Sequence, residues 1–420
     1  MTLIRILRSR ICRAATQSTS NAPTGSTQLC RCFLRNTADV HHRPARISSK
    51  NHAAHRVGAK RVRAVTMFRY VGWLLLVYAF GSLGGLVAVS VGLPLPWMIG
   101  PLLFTAMLYL TGIADIVIPV DTRPAGQIVV ASQVGVYFSP AAFAMLLTLS
   151  PLLVGMALAT ALCAFSVALL LARIARLNLT AAFLSSLPTS PVEAAIMAER
   201  FQCNPGPIIL AQTVRIAAVV VLLPVVIYAI DGWPLSAGMR TSAVFDMAGT
   251  AILPAVGVAG GLLFRLLRVA NPFFLGPLAA SSAVAAMGFG PFVYPPIILS
   301  AAQVILGVWL GSTFRRALFQ AAGRLVITSV LATLALLAMT SGVAVVIAVG
   351  LGLDWELMVL GAAPGGVTEM ALTAKYLGQD VALITAFHLT RIFIFIPNIP
   401  WIVGLIHRYE KRRSTGVGEE

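Results

Sequence analysis

Two short stretches of the chain have residues that can exchange a proton or bind an anion. In each one a glutamate follows proline, glycine and hydroxyl residues inside apolar sequence. Proline and glycine interrupt a helix, serine or threonine can cap the next helix, and an acid in its first turn lies at the positive end of the dipole. The candidate residues are Pro188, Thr189, Ser190 and Glu193 in the first stretch, and Pro364, Gly365, Gly366, Thr368 and Glu369 in the second.

Two interpretations apply to these stretches. In the first, the exposed N–H groups of the new half-helix hold the glutamate or a substrate carboxylate, and the glutamate takes up and releases a proton. In the second, each stretch is only a capped turn whose glutamate offsets the helix dipole. The recurrence of the pattern favours a binding role for Glu193 and Glu369, with Pro188 and Pro364 as hinges.

An arginine follows each glutamate inside an apolar run, at Arg215 and Arg391. A charge at membrane depth costs about 2.5–3.5 kcal/mol on insertion scales, so we expect Glu193 and Glu369 to be its partners, within a copy or across copies. These pairs either lock the structure or bind a substrate carboxylate or phosphate with the arginine fork. His388 precedes Arg391 by one turn, where it can titrate near neutral pH or form a local hydrogen bond.

An offset of 176 residues aligns the two stretches and most of the chain around them. Gly84, Gly100, Pro101, Gln127 and Arg215 correspond to Gly260, Gly276, Pro277, Gln303 and Arg391. The matching residues are those with special backbone or charge roles, and a shared fold constrains such residues most strongly. A duplicated apolar chain with an acid and an arginine in each copy suggests a membrane protein whose site lies between its halves.

The glycine–proline motifs of the second apolar segment in each copy are predicted hinges. They are formed by Gly100 and Pro101 in copy one and by Gly276 and Pro277 in copy two. A proline removes a helix hydrogen bond and can free a carbonyl for a ligand, although close helix packing explains the motif equally well. Gln127 and Gln303 are weaker site candidates.

Composition places the chain in the membrane class. Hydrophobic residues make up 58% of it and charged residues 11%, and apolar runs of spanning length recur. The net charge of +17 comes largely from residues 1–66, which hold 11 Arg and 2 Lys against one acid. We therefore expect no direct nucleic-acid binding, and the five cysteines and six histidines indicate no metal site or other cofactor.

The predicted organisation has five parts. Residues 1–66 are a basic, disordered extension, with three open interpretations: a translation start at Met67, a tail facing anionic lipid, or an organellar transit peptide. Residues 67–230 are membrane repeat one, 231–243 a linker, 244–406 membrane repeat two and 407–420 a tail. Each repeat is predicted to have five spans and a broken segment, at 181–199 and 358–375.

The positive charges of corresponding loops lie in different places in the two copies. Arg173 and Arg176 have acidic counterparts near 354–356, while the uncharged loop 139–148 corresponds to a loop containing Arg315 and Arg316. Positive residues mark the cytoplasmic side, so we predict inverted copies, re-entrant broken segments and two cytoplasmic termini. Six crossings per copy in parallel orientation is the alternative.

The paired motifs, Gly-Pro-Leu after an apolar turn and proline followed by Glu and Arg in each copy, resemble the AbrB-duplication family of bacterial inner-membrane proteins. The resemblance covers residues 68–406 and is closer in copy two, because Thr189 and Ser190 replace the usual Gly-Gly in copy one. Family members are labelled as regulators of gene expression or ammonia monooxygenases. The resemblance implies a multi-pass protein of the bacterial inner membrane.

We therefore predict an all-α polytopic membrane protein with two inverted repeats of about five spans each. Its expected function is proton-coupled secondary transport of a small, anionic solute, with no catalytic residues. A membrane-embedded sensor that affects gene expression indirectly is the alternative, and a membrane monooxygenase is a more distant one, because a copper or iron site needs clustered ligands. The expected partners are lipid, the solute and protons, and the sequence leaves a homo-oligomer open.

Overall fold

The computed structural model is all-helical in its regular structure, with no strand in the residues that it describes: 49–119, 122–189, 191–231, 247–269, 271–289, 292–321 and 323–416. The chain divides into two units, Met1–Met67 and Phe68–Glu420. The first eight helices are α1 Ser49–Ser90, α2 Pro96–Leu110, α3 Thr122–Gly135, α4 Pro140–Thr148, α5 Ser150–Ala175, α6 Leu179–Ser186, α7 Pro191–Arg200 and α8 Pro205–Asp231. The others are α9 Met247–Leu266, α10 Pro272–Ala286, α11 Pro296–Gly311, α12 Arg316–Ala321, α13 Gly323–Leu351, α14 Trp355–Ala362, α15 Val367–Leu377 and α16 Val381–Gly416.

Two predicted boundaries fall inside helices. The helix α1 begins at Ser49, so the end of the predicted extension at residue 66 does not coincide with a break in secondary structure. The helix α16 runs to Gly416, so the tail predicted from residue 407 begins as a continuation of the last helix. Residues 1–48 and the linker beyond Asp231 lie outside the described residues.

The 176-residue offset recurs in the backbone. The helices α2 and α6 match α10 and α14 at both ends, α8 matches α16 at its start, and α5 ends 176 residues before α13 ends. The described residues with a left-handed backbone form five pairs at this offset: Gly92 and Arg268, Leu95 and Asn271, Gly112 and Gly288, Arg176 and Gly352, and Gln202 and Gly378. Helix ends and turns therefore recur in both copies even where the residue type has changed.

The described residues contain ten apolar helical segments where the sequence predicts spans, with the bent pair α3 and α4 counted as one. Five are long and apolar enough to cross a membrane: Arg69–Ser90, Ser150–Ala175, Pro205–Ile230, Gly323–Leu351 and Val381–Arg412. The helices α3 and α4 qualify only as a pair bent by 84°, and four further apolar helices are shorter. The chain is thus a multi-span helical membrane protein, while the count of ten crossings and the inverted orientation stay predictions.

The helices pack in two groups, each containing helices from both copies. The first group consists of α1, α2, α3, α9, α10 and α11, in which α2 packs on α11 and α3 packs on α10. The second group consists of α5 to α8 and α13 to α16, in which α5 and α8 pack on α13 and α16 packs on α5. Contacts between the groups are fewer: α15 of the copy-two broken segment and α16 contact α3, and α8 contacts α2 and α11.

Candidate functional site

Each broken segment is a pair of half-helices separated by a short break. In copy one α6 ends at Ser186 and α7 begins at Pro191, and in copy two α14 ends at Ala362 and α15 begins at Val367. Leu187 and Ala363 have an extended backbone, with ψ of 128° and 136°. A proline disfavours helical geometry in the residue before it, so Pro188 and Pro364 account for both breaks.

The first half-helices begin with different caps. In copy two the Asp354 carboxylate accepts a hydrogen bond of 2.9 Å from the backbone N–H of Glu356. In copy one the cap comes from the last helix: the Glu410 carboxylate accepts bonds from the backbone N–H groups of Leu179 and Thr180, and from the Thr180 hydroxyl at 2.5 Å. The end of α16 is therefore attached to the start of α6.

The two arginines crosslink the breaks through backbone carbonyls. Arg215 donates from Nη1 to the carbonyl of Leu187 at 2.9 Å and from Nη2 to that of Thr189 at 3.3 Å. Arg391 donates to the equivalent carbonyls of Ala363 and Gly365, at 2.7 and 2.8 Å. Both side chains are 3% exposed, so these bonds satisfy carbonyls that the broken helices leave open.

The residue one turn before each arginine also lies next to a carbonyl at the end of the first half-helix, in both copies. Gln212 donates from Nε2 to the carbonyls of Leu184 and Leu187, at 2.6 and 3.0 Å, and its Oε1 accepts from Arg215. His388 is fully buried, and its Nε2 lies 3.0 Å from the carbonyl of Leu360, the residue equivalent to Leu184. His388 therefore has the local hydrogen bond that was one of its two predicted roles.

The expected pairing of glutamates with Arg215 and Arg391 is wrong for the described part of the chain. Both guanidinium groups bind carbonyls instead, because an unwound backbone offers several buried acceptors close to the helix that carries the arginine. Arg123, at the start of α3, interacts electrostatically with both Glu369 and Glu193. Its guanidinium carbon lies 4.2 Å above the centre of the Trp309 ring on α11.

Glu193 and Glu369 occupy the first turns of α7 and α15, as predicted. The Glu369 carboxylate folds back over Gly366, where a β-carbon would collide with it. Gly366 is the N-cap residue of α15 and Thr368 lies inside the helix, so the predicted cap by Thr368 is wrong. The backbone N–H of Thr189 donates to the carbonyl of Leu187, and Ser190 lies outside the described residues.

The glycine–proline motifs act in helix packing. A β-carbon on Gly100 would collide with the backbone of Gly84, and one on Gly276 would collide with that of Gly260. The helices α2 and α10 continue through Pro101 and Pro277, each of which lies in the first two turns. Their role as hinges stays a prediction.

The two candidate glutamines lie where helices of the two copies meet. Gln127 and Gln303 are both buried, next to the close contact of Gly126 with the Ala302 carbonyl. Neither amide has a hydrogen bond to another residue of the described ranges, so both stay candidates for contact with a ligand.

Comparison with known proteins identifies the family. The model of the AbrB family, described as transition state regulatory protein AbrB, matches residues 114–407. The chain belongs to the AbrB family. A Bacillus subtilis (strain 168) relative, the uncharacterized protein YhjN, is 24% identical over 352 residues, which are 78% of this chain and 92% of the relative. The Escherichia coli (strain K12) protein named "Putative regulator AbrB" is 27% identical over 159 residues, 38% of this chain and 46% of that protein.

The site of this AbrB-family chain includes two residues that sequence reasoning missed. Arg123 lies in the matched range, but its counterpart in copy two is Leu299, so comparison of the copies did not single it out. The sequence did contain one signal for Arg123: it is one of few charged residues in this part of the chain, and it lies at the start of an apolar segment. Glu410 was missed because its partners lie more than 200 residues away in sequence. The described residues contain no group of three His, Cys, Asp or Glu side chains arranged to hold a metal ion.

Proposed function

We propose that this AbrB-family protein is a proton-coupled secondary transporter of a small anionic solute, which binds between the two helix groups. One observation carries the proposal. Arg123 of the first group interacts with Glu193 and Glu369, which begin the two second half-helices of the second group. Charged side chains from both copies thus converge between the two groups, where α15 contacts α3.

The charges of this cluster favour coupling between solute and proton. Two carboxylates face one guanidinium, so the cluster has a net negative charge when both glutamates are ionised. An anionic solute would add a further negative charge, and protonation of one glutamate offsets it. The solute and the proton would therefore load together.

Arg123 is suited to hold the solute. Its guanidinium carbon lies 4.2 Å from the centre of the Trp309 ring, and the N–H groups at the edge of a guanidinium suit a planar carboxylate or phosphate. The N–H groups at the start of α15, next to Gly365 and Gly366, are positioned to contribute further donors. Thr189 and Thr368 would then line the site as polar neighbours.

The arrangement of the helices suits alternating access. Each group is internally well packed, and each contains corresponding helices from both copies. Inverted copies would let one group move relative to the other and present the same cluster to either side of the membrane. We place the protein in the bacterial inner membrane with both termini in the cytoplasm, because the positive loop residues favour that side.

Flux measurements in proteoliposomes test the proposal. Small carboxylates, amines and ammonium would be supplied to the wild type and to Glu193→Gln, Glu369→Gln and Arg123→Leu, the last of which installs the residue found at position 299. We expect solute-driven proton flux in the wild type and at least a tenfold loss in each variant. Glu199→Gln is the matched control, because Glu199 is exposed on the same helix as Glu193.

The outcomes distinguish the candidate functions. Variants that fold, as judged by melting temperature and gel filtration, yet transport at the wild-type rate would reject the assigned site. A wild type that is silent with every solute, but is stabilised by one of them, would favour a membrane-embedded sensor. The name of the Escherichia coli relative, "Putative regulator AbrB", makes that sensor the second candidate.

A further inference from the structure

A small cavity lies beside Arg215, between α5, α6, α8 and α13. Its polar lining comes from Ser185 and Ser186 at the end of α6, Arg215 on α8, and Ser329 and Thr333 on α13. Val167, Leu171, Ala211, Ala332 and Leu336 form its apolar lining. The space is about that of one water molecule, so a larger halide requires the lining side chains to move outward slightly. This cavity is separate from the Arg123 cluster, and the inference from it does not rest on the transport proposal.

Three polar atoms of this lining have no hydrogen-bond partner among the described residues: Ser186 Oγ, Ser329 Oγ and Arg215 Nε. All three side chains are at least nine-tenths buried, with exposures of 5%, 2% and 3%. A buried polar group without a partner is costly, so such groups usually have a ligand or an ordered water. The three residues line the same small space, and each of these atoms can donate a hydrogen bond.

The charges around the cavity favour an anion. The Nη1 and Nη2 atoms of Arg215 are used by neutral carbonyls and an amide oxygen. The charged group that interacts with Arg215 is Arg391, a second cation. A positive charge at this depth is stabilised by a nearby negative one, and a halide accepts hydrogen bonds from hydroxyl and guanidinium donors without offering any.

Copy two lacks this arrangement. Ser185, Ser186, Ser329 and Thr333 correspond to Gly361, Ala362, Leu153 and Ala157, and Ala211 corresponds to Phe387. The Phe387 ring packs against Gly361, where a β-carbon would lie 2.6 Å from its Cδ2 atom. Arg391 Nε also has no partner in the described ranges, but none of the four residues equivalent to the hydroxyl residues has a hydroxyl. The hydroxyl of Thr160, which corresponds to Leu336, donates within its own helix. The hydroxyl set is therefore a feature of copy one.

We propose that the cavity at Arg215 is a binding site for a small monovalent anion of halide size, held by Arg215 Nε and the hydroxyls of Ser186 and Ser329. The anion would neutralise Arg215 while the remaining N–H groups of that arginine keep the break at 187–189 in place. It would thereby stabilise the broken segment of copy one, with no equivalent in copy two.

Melting of the purified protein in sodium bromide and in sodium gluconate at equal ionic strength tests the proposal. We expect bromide to raise the Tm of the wild type by about 2–4 °C. The Ser186→Ala/Ser329→Ala double variant should lose this rise. Ser166→Ala should keep it, because Ser166 is an exposed serine of α5 whose hydroxyl bonds within its own helix.

Anomalous scattering from wild-type crystals grown in bromide gives a second readout that does not depend on a variant folding. A bromide peak between Arg215 Nε, Ser186 and Ser329 is expected. Equal melting temperatures in the two salts together with no peak at this place would overturn the proposal and assign the cavity to water. A bromide-dependent rise that the double variant retains in full would place the halide elsewhere and would also overturn it.

Discussion

The two broken segments have the same backbone and different chemistry. In both, an arginine binds the carbonyls before and after the proline, and a polar residue one turn earlier binds the end of the first half-helix. Copy one surrounds this crosslink with hydroxyls and a cavity, whereas copy two surrounds it with glycine, alanine and the Phe387 ring. Copy two also has glycines at its break, where copy one has Thr189 and Ser190.

This difference separates what the fold requires from what each copy has acquired. The crosslink recurs because a break inside apolar sequence exposes carbonyls that must be satisfied. The surrounding residues are under no such common requirement, so they differ. Arg123 is a second difference of this kind. The corresponding helix of copy two, α11, has Leu299 at that position and therefore folds without an arginine there.

The largest expected effect comes from removing the arginine crosslinks. Arg391→Ala leaves the carbonyls of Ala363 and Gly365 without donors, at a cost of about 1–3 kcal/mol each. Arg215→Ala should cost more, because it also leaves Gln212 Oε1 without its donor. Denaturation of both variants in detergent measures the difference. Arg391→Lys is the control that keeps the charge, and equal stability of all variants and the wild type would contradict the structural role.

A smaller effect is expected from the caps, which differ between the copies. Glu410→Ala removes three bonds at the start of α6 and should cost about 1–2 kcal/mol, whereas Asp354→Ala removes a cap within copy two and should cost about 1 kcal/mol. Hydrogen exchange should increase at α6 in the first variant and at α14 in the second. Glu199→Ala serves as the exposed control, and increased exchange at both helices in either variant would argue against two separate caps.

The smallest effect is expected when His388 is replaced by glutamine, the residue at the corresponding position of copy one, Gln212. His388→Gln keeps an N–H donor for the Leu360 carbonyl and should change the unfolding free energy by less than about 1 kcal/mol. His388→Ala leaves that carbonyl unsatisfied and should cost about 1–3 kcal/mol. If transport by His388→Gln depends on pH as in the wild type, the histidine has a structural role; a flattened pH profile would instead indicate that it titrates during transport.

Much of the fold could be predicted because the signals are local. Apolar run length located the helical segments, proline located the breaks at 187–190 and 363–366, and the spacing after the break placed Glu193 and Glu369 in first turns. Close helix packing was one of the two interpretations of the glycine–proline motifs, and the structure shows it between Gly84 and Gly100 and between Gly260 and Gly276. Each of these features depends on residues within a few turns of one another.

The partners of the charged residues could not be predicted in the same way. Opposite charges suggested pairs of glutamate and arginine, but the nearest acceptors for Arg215 and Arg391 are backbone carbonyls, which every residue carries and no sequence pattern marks. Arg123, which interacts with both glutamates, comes from a different helix group, so its approach depends on tertiary packing. The cavity at Arg215 likewise requires four helices to be in place.

The five pairs of left-handed residues have a practical consequence for engineering. In three pairs one copy has glycine where the other has a side chain: Gly92 and Arg268, Gly352 and Arg176, and Gly378 and Gln202. A residue with a β-carbon pays about 1 kcal/mol or more in this conformation, which glycine adopts freely. Each copy thus serves as a homologous template for the other. Comparison of the two copies within one chain indicates the positions at which a substitution by glycine should make the protein more stable.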